Sequence, residues 1–223
     1  MNRPKPYEYA DAIVKSLNRI GLHRFEAVKS KLIIDGFDEL NVIKQVKALY
    51  ASLNNDNKKA YKQLFVDCYI AILLWLSKRE KIKKREEDQI YEMAEMHMLN
   101  LLKNPNPVTR YAYDTEVLRK RDRAIEAINS VAGSVKKQQA MDGALRQWSS
   151  MTWWYADFME EEATLAAMED FGVERVQRHE LEDTRTCQEC EDADGAVYDI
   201  DKIPPAPHPN CRRWFSVYRH ESA

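Results

Sequence analysis

The sequence predicts a mainly α protein: an N-terminal helical bundle, then a long helical hairpin, then a small C-terminal α/β module. Three observations carry that prediction. Helix-favouring Lys, Glu, Ala, Leu and Met dominate the first three quarters of the 223 residues, and the whole chain has only six glycines and eight prolines. Apolar residues recur at three- and four-residue spacing as far as Gly172. Beyond Gly172 the texture changes to short alternating segments, prolines and three of the four cysteines.

Taken in order, residues 1–104 read as short-looped helices. Phe37 to Tyr50 places Val42, Val46, Leu49 and Tyr50 on one face and turns Lys44 and Lys47 outward. Asn54-Asn55-Asp56-Asn57 then reads as a break, with Asp56 or Asn57 capping the next helix by accepting a backbone N–H bond. That helix carries Leu64, Phe65, Cys68, Tyr69, Ile72, Leu73 and Leu76, apolar around so much of its girth that it is expected to be the most buried. Ile90, Ala94, Met98 and Leu101 mark a further amphipathic helix.

Asn104-Pro105-Asn106-Pro107 removes two backbone donors and pushes the residues before each proline out of the helical region, which predicts a boundary. Residues 105–171 then form the hairpin. Its first helix aligns Tyr111, Leu118, Ile125 and Ile128 and closes near Gly133; its second runs from about Val135 to Phe171 with Leu145, Trp148, Tyr155, Met159 and Ala166 inward, and Gly172 terminates it. Residues 172–223 make the module, with strand candidates at Val173–His179, Ala196–Tyr198 and Arg213–Tyr218.

Charge and hydropathy narrow the function classes. There are 34 basic and 36 acidic residues, a net charge of -2, so whole-chain charge does not predict wrapping around nucleic acid. Any DNA contact is expected to be local, at the basic patch of Lys78, Arg79, Lys81, Lys83, Lys84 and Arg85 or at Arg119, Lys120, Arg121 and Arg123. The more usual reading of the first patch is a solvated helix end, favourably placed against the C-terminal dipole. The apolar run Leu64 to Leu76 is interrupted by Asp67 and falls short of the ~20 residues of a spanning helix, so no membrane partner is expected. The first six residues open no apolar signal core, which predicts that the chain stays in the cytosol where it is made.

Chemistry concentrates in one motif. Cys187, Cys190, His208 and Cys211 read C-x2-C-x17-H-x2-C. Two ligands separated by two residues reach one ion from a tight knuckle, and two such knuckles joined by a loop of this length match structural zinc modules. Pro209 stiffens the second knuckle and Gly195 permits a turn in the loop between them. The module is therefore expected to be zinc-knuckle-like, with structural Zn2+ on Cys187, Cys190, His208 and Cys211. Four protein ligands leave no open position for substrate, so such a site stabilises a fold and does not catalyse. The competing reading makes the cysteines redox thiols or plain packing and His208 a loop histidine.

The remaining residues carry weaker signals. Cys68 reads as inert core packing, His97 as a hydrogen-bonded core histidine, and His179 as the one substitute ligand near the cluster. Trp153 and Trp154 cannot both face the way Tyr155 does, so one is expected to be exposed to a partner. H-E-x-x-H, G-x-S-x-G, the Walker phosphate loop and the zinc-deaminase pattern do not occur in the sequence, and no catalytic residue is expected.

The run Asp183-Thr184-Arg185-Thr186-Cys187-Gln188-Glu189-Cys190, then Asp194-Gly195, then Pro204-Pro205-Ala206-Pro207 leading into His208-Pro209-Asn210-Cys211-Arg212, resembles the phage head morphogenesis family, the minor head proteins similar to protein F of bacteriophage Mu. The resemblance covers about residues 130 to 218. The family often ends the motif Cys-Arg-Cys, whereas Arg213 stands at the last position here. The resemblance implies a non-enzymatic minor capsid protein of a tailed phage or prophage. Such a protein associates with portal and capsid proteins during head assembly in the host bacterial cytoplasm, resides in the virion and touches packaged DNA. The alternative is a zinc-knuckle nucleic-acid protein, either an HNH-like nuclease using His208 or His179 or a DNA-binding adaptor.

Overall fold

The computed structural model describes residues 9–78, 84–103, 111–180, 186–207, 211 and 213–218. Among the described residues six α-helices and a three-stranded sheet follow one another: α1 (Tyr9–Asp35), α2 (Glu39–Ser77), α3 (Lys84–Lys103), α4 (Tyr113–Asn129), α5 (Ser134–Asp170), β1 (Arg175–His179), α6 (Gln188–Asp192), β2 (Val197–Asp199) and β3 (Trp214–Val217). The fold is mainly helical with a small C-terminal antiparallel sheet, as the sequence predicts. His208, Pro209, Asn210 and Arg212, residues 181–185 and the Asn104–Pro107 boundary lie outside the described residues. So do Arg79, Lys81 and Lys83 of the basic patch.

The expected break at Asn54–Asn57 does not occur; α2 runs unbroken through it for 39 residues. The polar residues find tertiary partners instead of terminating the helix. Asn57, 1% exposed, donates from Nδ2 to Tyr61 Oη and Thr152 Oγ1, and Asn54 donates to Asp114. A buried amide whose hydrogen bonds are met costs a helix little. The N-cap of α2 is Asp38, whose Oδ1 accepts the Asn41 N–H at 3.0 Å. Because α2 is continuous, it is long and apolar enough to cross a membrane by length and composition, which the run Leu64–Leu76 alone is not. In this fold Leu64, Phe65, Val66, Cys68, Tyr69 and Ile72 of α2 are buried against protein.

The described residues group into two compact units, whereas 1–104, 105–171 and 172–223 divide the chain end to end. One unit comprises Asp11–Tyr61 and Leu101–Tyr155. Its centre is aromatic: Tyr50 meets Trp148 edge-on at 5.4 Å between centroids and Phe25 at 6.0 Å, while Tyr113 meets Tyr155 at 4.7 Å and Tyr61 at 5.6 Å. Tyr113 opens α4 and Tyr155 lies midway along α5, so the two helices form the antiparallel hairpin the sequence predicts. The buried face of α4 is shifted from that expected, with Ile128 inward as foreseen and Ile125 half-buried. It holds Tyr113, Glu116, Val117, Ala124 and Ile128, while Tyr111 and Leu118 are exposed. The reason is electrostatic: Glu116 is tolerated inside because Arg119 and Lys120, one turn on, reach its carboxylate at 2.7 and 3.5 Å. On α5, Leu145 and Ala166 are half-buried, and Met141, Ala144, Met151, Ala163 and Ala167 fill the inner positions with Trp148, Tyr155 and Met159. Trp153 and Trp154 are both half-buried, with the Lys120 ammonium 5.7 Å from the Trp154 ring centroid, so the expected exposed tryptophan is not found there.

The other unit comprises Met1–Ala10, Lys62–Asn100 and Ala156–Ala223, over their described residues. Ile90, Ala94, Met98 and Leu102 line the inner face of α3, and Leu101 is only half-buried. His97 is exposed, with its ring stacked 6.1 Å from Phe65, and is not a core residue. Cys68 is fully buried. Gly172 terminates α5 as expected: at φ +84° it takes the left-handed conformation, its N–H bonds to Glu169 O, and the Val173 N–H bonds back to Met168 O. The chain then turns directly into β1, the central strand of a sheet ordered β2-β1-β3 with both pairings antiparallel.

Candidate metal centre

The alternation of β1 sets the site. Val176, Arg178 and Glu180 are buried together on one face of the strand, and Gln177 and His179 fall on the other. Two backbone bonds extend the β1–β2 pairing past Val197, Arg178 N–H to Ala196 O at 2.8 Å and Gly195 N–H to Arg178 O at 2.9 Å. Gly195, at φ +76°, supplies the left-handed turn this closure needs. Asp194 Oδ1 accepts the Glu180 N–H at 2.8 Å. The loop after α6 is thus strapped to the buried face of β1, which brings the cysteine segment to Arg178 and Glu180.

Cys187 sits at the N-cap of α6, and its carbonyl accepts the N–H groups of Cys190 and Glu191, each at 3.0 Å. The Cys187 thiol is hydrogen-bonded to Cys190 across that turn. Cys211 comes from the other end of the loop, just before β3, and takes a bond from the backbone N–H of Arg213 at its sulfur. Its Sγ lies 3.6 Å from Cys190 Sγ. Donor atoms of Glu180, Cys190 and Cys211 all lie within 4.8 Å of one another, and the group can hold a metal ion. All four cysteines are free thiols. Burial pushes the Cys190 thiol well up, reinforced by Cys211 beside it, and pushes Cys211 up with help from the Glu180 charge.

Of the four expected ligands the structure brings Cys190 and Cys211 together, with Glu180 as the third donor of the group; Cys187 is hydrogen-bonded to Cys190 but is not part of that group, and His208 is outside the described residues. The substitute ligand foreseen for this neighbourhood, His179, is instead on the opposite strand face. It hydrogen-bonds Ser216 Oγ through Nε2 at 2.8 Å and stacks on Trp214 at 4.1 Å, and burial lowers its pKa. Glu180 and Arg178 are the residues the sequence reading missed. The usable signal was the period of two: once Val176 is inward, positions 178 and 180 are inward too.

Arg213 is buried and serves as an anchor. Its guanidinium holds Glu161 of α5 in a two-pronged ion pair at 2.8 and 2.6 Å and donates to Pro204 O at 2.7 Å. Fork-to-fork pairing of this kind fixes orientation as well as distance. A comparison of the chain with protein-family models, with curated proteins and with solved structures finds no match in any of the three.

Proposed function

We propose that the cysteine cluster is a structural zinc site and that the chain is a non-enzymatic minor head protein of a tailed phage or prophage, associating with the portal during head assembly. The observation that carries this reading is the 3.6 Å approach of Cys190 Sγ to Cys211 Sγ across 21 positions of sequence. Sulfurs bound to zinc at about 2.3 Å in a tetrahedron stand about 3.8 Å apart. The pair already has the spacing that ion requires. Cys187, bonded to Cys190, offers the third sulfur, and His208 is the imidazole of the set.

Zinc, when bound, supplies a cross-link between the α6 knuckle and the chain entering β3. A sheet of five-, three- and four-residue strands buries little apolar surface of its own. The chain's own residues do the rest: Gly195 and Asp194 strap the knuckle to β1, and Arg213 ties β3 to α5. Full coordination by protein leaves no position for a reacting water, which supports a structural reading over the nuclease one.

The head-assembly assignment draws its support from the segments that carry the family resemblance, since the two cysteine segments among them, 186–190 and 211, are the ones whose sulfurs meet. Its test is co-expression of the tagged full chain with the portal protein of the phage or prophage whose genome carries it. Portal rings that purify with the chain are the expected result; rings that form and purify without it overturn the assignment. Metal analysis of the reduced chain is expected to give about one zinc per molecule.

A further inference from the structure

One atom is the common neighbour of everything in the metal-binding group. Arg178 Nη2 lies 3.7 Å from Cys190 Sγ and 3.7 Å from Cys211 Sγ, and the same nitrogen pairs with Glu180 Oε1. Nε of Arg178 donates to that oxygen as well, at 2.7 Å. Both side chains are 4% exposed. A guanidinium is costly to bury, and one carboxylate already neutralises it, so its reach to two sulfurs needs a reason. Neutral thiols are weak acceptors and give little return for that placement. Thiolates, the form in which cysteine holds Zn2+, are strong ones.

We propose that Arg178 is a positioning residue of the metal centre. It donates N–H···S bonds to the thiolates of Cys190 and Cys211, while Glu180 holds its guanidinium in place from outside the coordination sphere. This rests on the zinc reading above and deepens it. The pair sits on the central strand, so β1 both orders the sheet and orients two of the ligands. Partners of this kind set ligand orientation and typically change metal affinity by about 10- to 100-fold when removed.

The test uses the full-length reduced chain, with zinc affinity measured by competition against a chromophoric chelator and ligand identity read from the absorption of the Co2+-loaded form. Arg178→Gln is expected to weaken zinc binding by about tenfold or more, with the thiolate-to-cobalt charge-transfer bands unchanged at saturation. Arg178→Lys keeps the charge and one donor, and is expected to recover part of the loss. Because Arg178→Gln leaves Glu180 buried without its partner, the double variant Arg178→Met with Glu180→Leu removes both charges at once. It is expected to keep the helical far-UV signal and still bind zinc about tenfold or more weakly. Wild-type zinc affinity in the double variant overturns the proposal, because the single-variant loss is then only the cost of an orphaned charge. A shift of the cobalt d–d bands in Glu180→Gln at saturating metal also overturns it, since Glu180 is then a ligand. A wild-type chain with no thiolate–cobalt band defeats the zinc reading itself, an outcome distinct from either of these.

Discussion

At the centre of the helical unit the sealed side chains are Tyr50, Tyr61, Tyr113 and Trp148, packed ring against ring. On the inward face of β1 in the C-terminal sheet, the sealed side chains are Val176, Arg178 and Glu180. Long helices supply long apolar faces, so the first region holds itself by burial spread over many residues, each contributing a little. Strands of three to five residues cannot do that. The second region depends instead on a few groups with specific partners: two sulfurs at 3.6 Å, a buried arginine–glutamate pair, and Arg213 clamped to Glu161. Distributed burial tolerates single changes. A small set of obligate pairs does not, and loss of one member strands the other.

The sharpest way to break the comparison is at the sulfurs. Replacing Cys190 and Cys211 together by serine is expected to open the chain beyond Gly172 to protease while the helical far-UV signal stays near wild type. Limited trypsin digestion read by mass spectrometry checks both halves of that statement. A global loss of helix instead means the two regions are not independent in the way described.

The next largest effect is expected at the clamp. Arg213→Ala leaves Glu161 half-buried beside α5 without its partner and is expected to cost about 3 kcal/mol in urea unfolding. A tyrosine core position sharpens the contrast, since Tyr61→Phe removes a hydroxyl that donates to Thr152 O and accepts from Asn57 Nδ2, leaves Asn57 its bond to Thr152 Oγ1, and is expected to cost about 2 kcal/mol.

Glu162, next to that clamp, adds a pH signature. Burial, with the neighbouring Glu161 charge adding and Arg213 opposing, raises its pKa from 4.5 to about 7. Between those two values the folded chain holds a proton that the unfolded chain has lost, so stability falls as pH rises through the window. Glu162→Gln is therefore expected to stabilise the protein by on the order of 2 kcal/mol at pH 8 and by little at pH 5, as paired urea titrations will read. Among the smallest effects is the cap of α2: Asp38→Ala is expected to lower stability by about 1 kcal/mol in urea unfolding and to leave metal content unchanged.

Much of this division is legible in the amino-acid order, and the misses have physical causes. Helical periodicity found the trunk, and Gly172 marked its end because only a residue at ease with positive φ closes a helix that way. The imagined break at Asn54–Asn57 followed from local propensity, which the tertiary hydrogen bonds of Asn57 to Thr152 and of Asn54 to Asp114 overrode. The face of α4 was misjudged because Glu116 looks like a surface residue until Arg119 and Lys120 are seen to pair with it. The meeting of Cys190 with Cys211 was legible in the spacing of the cysteines. Arg178 and Glu180 were not, since charged residues on the inward face of a strand contradict the binary pattern unless they satisfy each other.

The most direct test is the mass of the intact chain, purified under reduction and sprayed under native conditions, alongside alkylation of its thiols. The account predicts one zinc per chain, with Cys187, Cys190 and Cys211 slow to alkylate until a chelator is added. A metal-free chain whose three thiols react at once, or one in which Cys190 and Cys211 are joined as a disulfide, contradicts it.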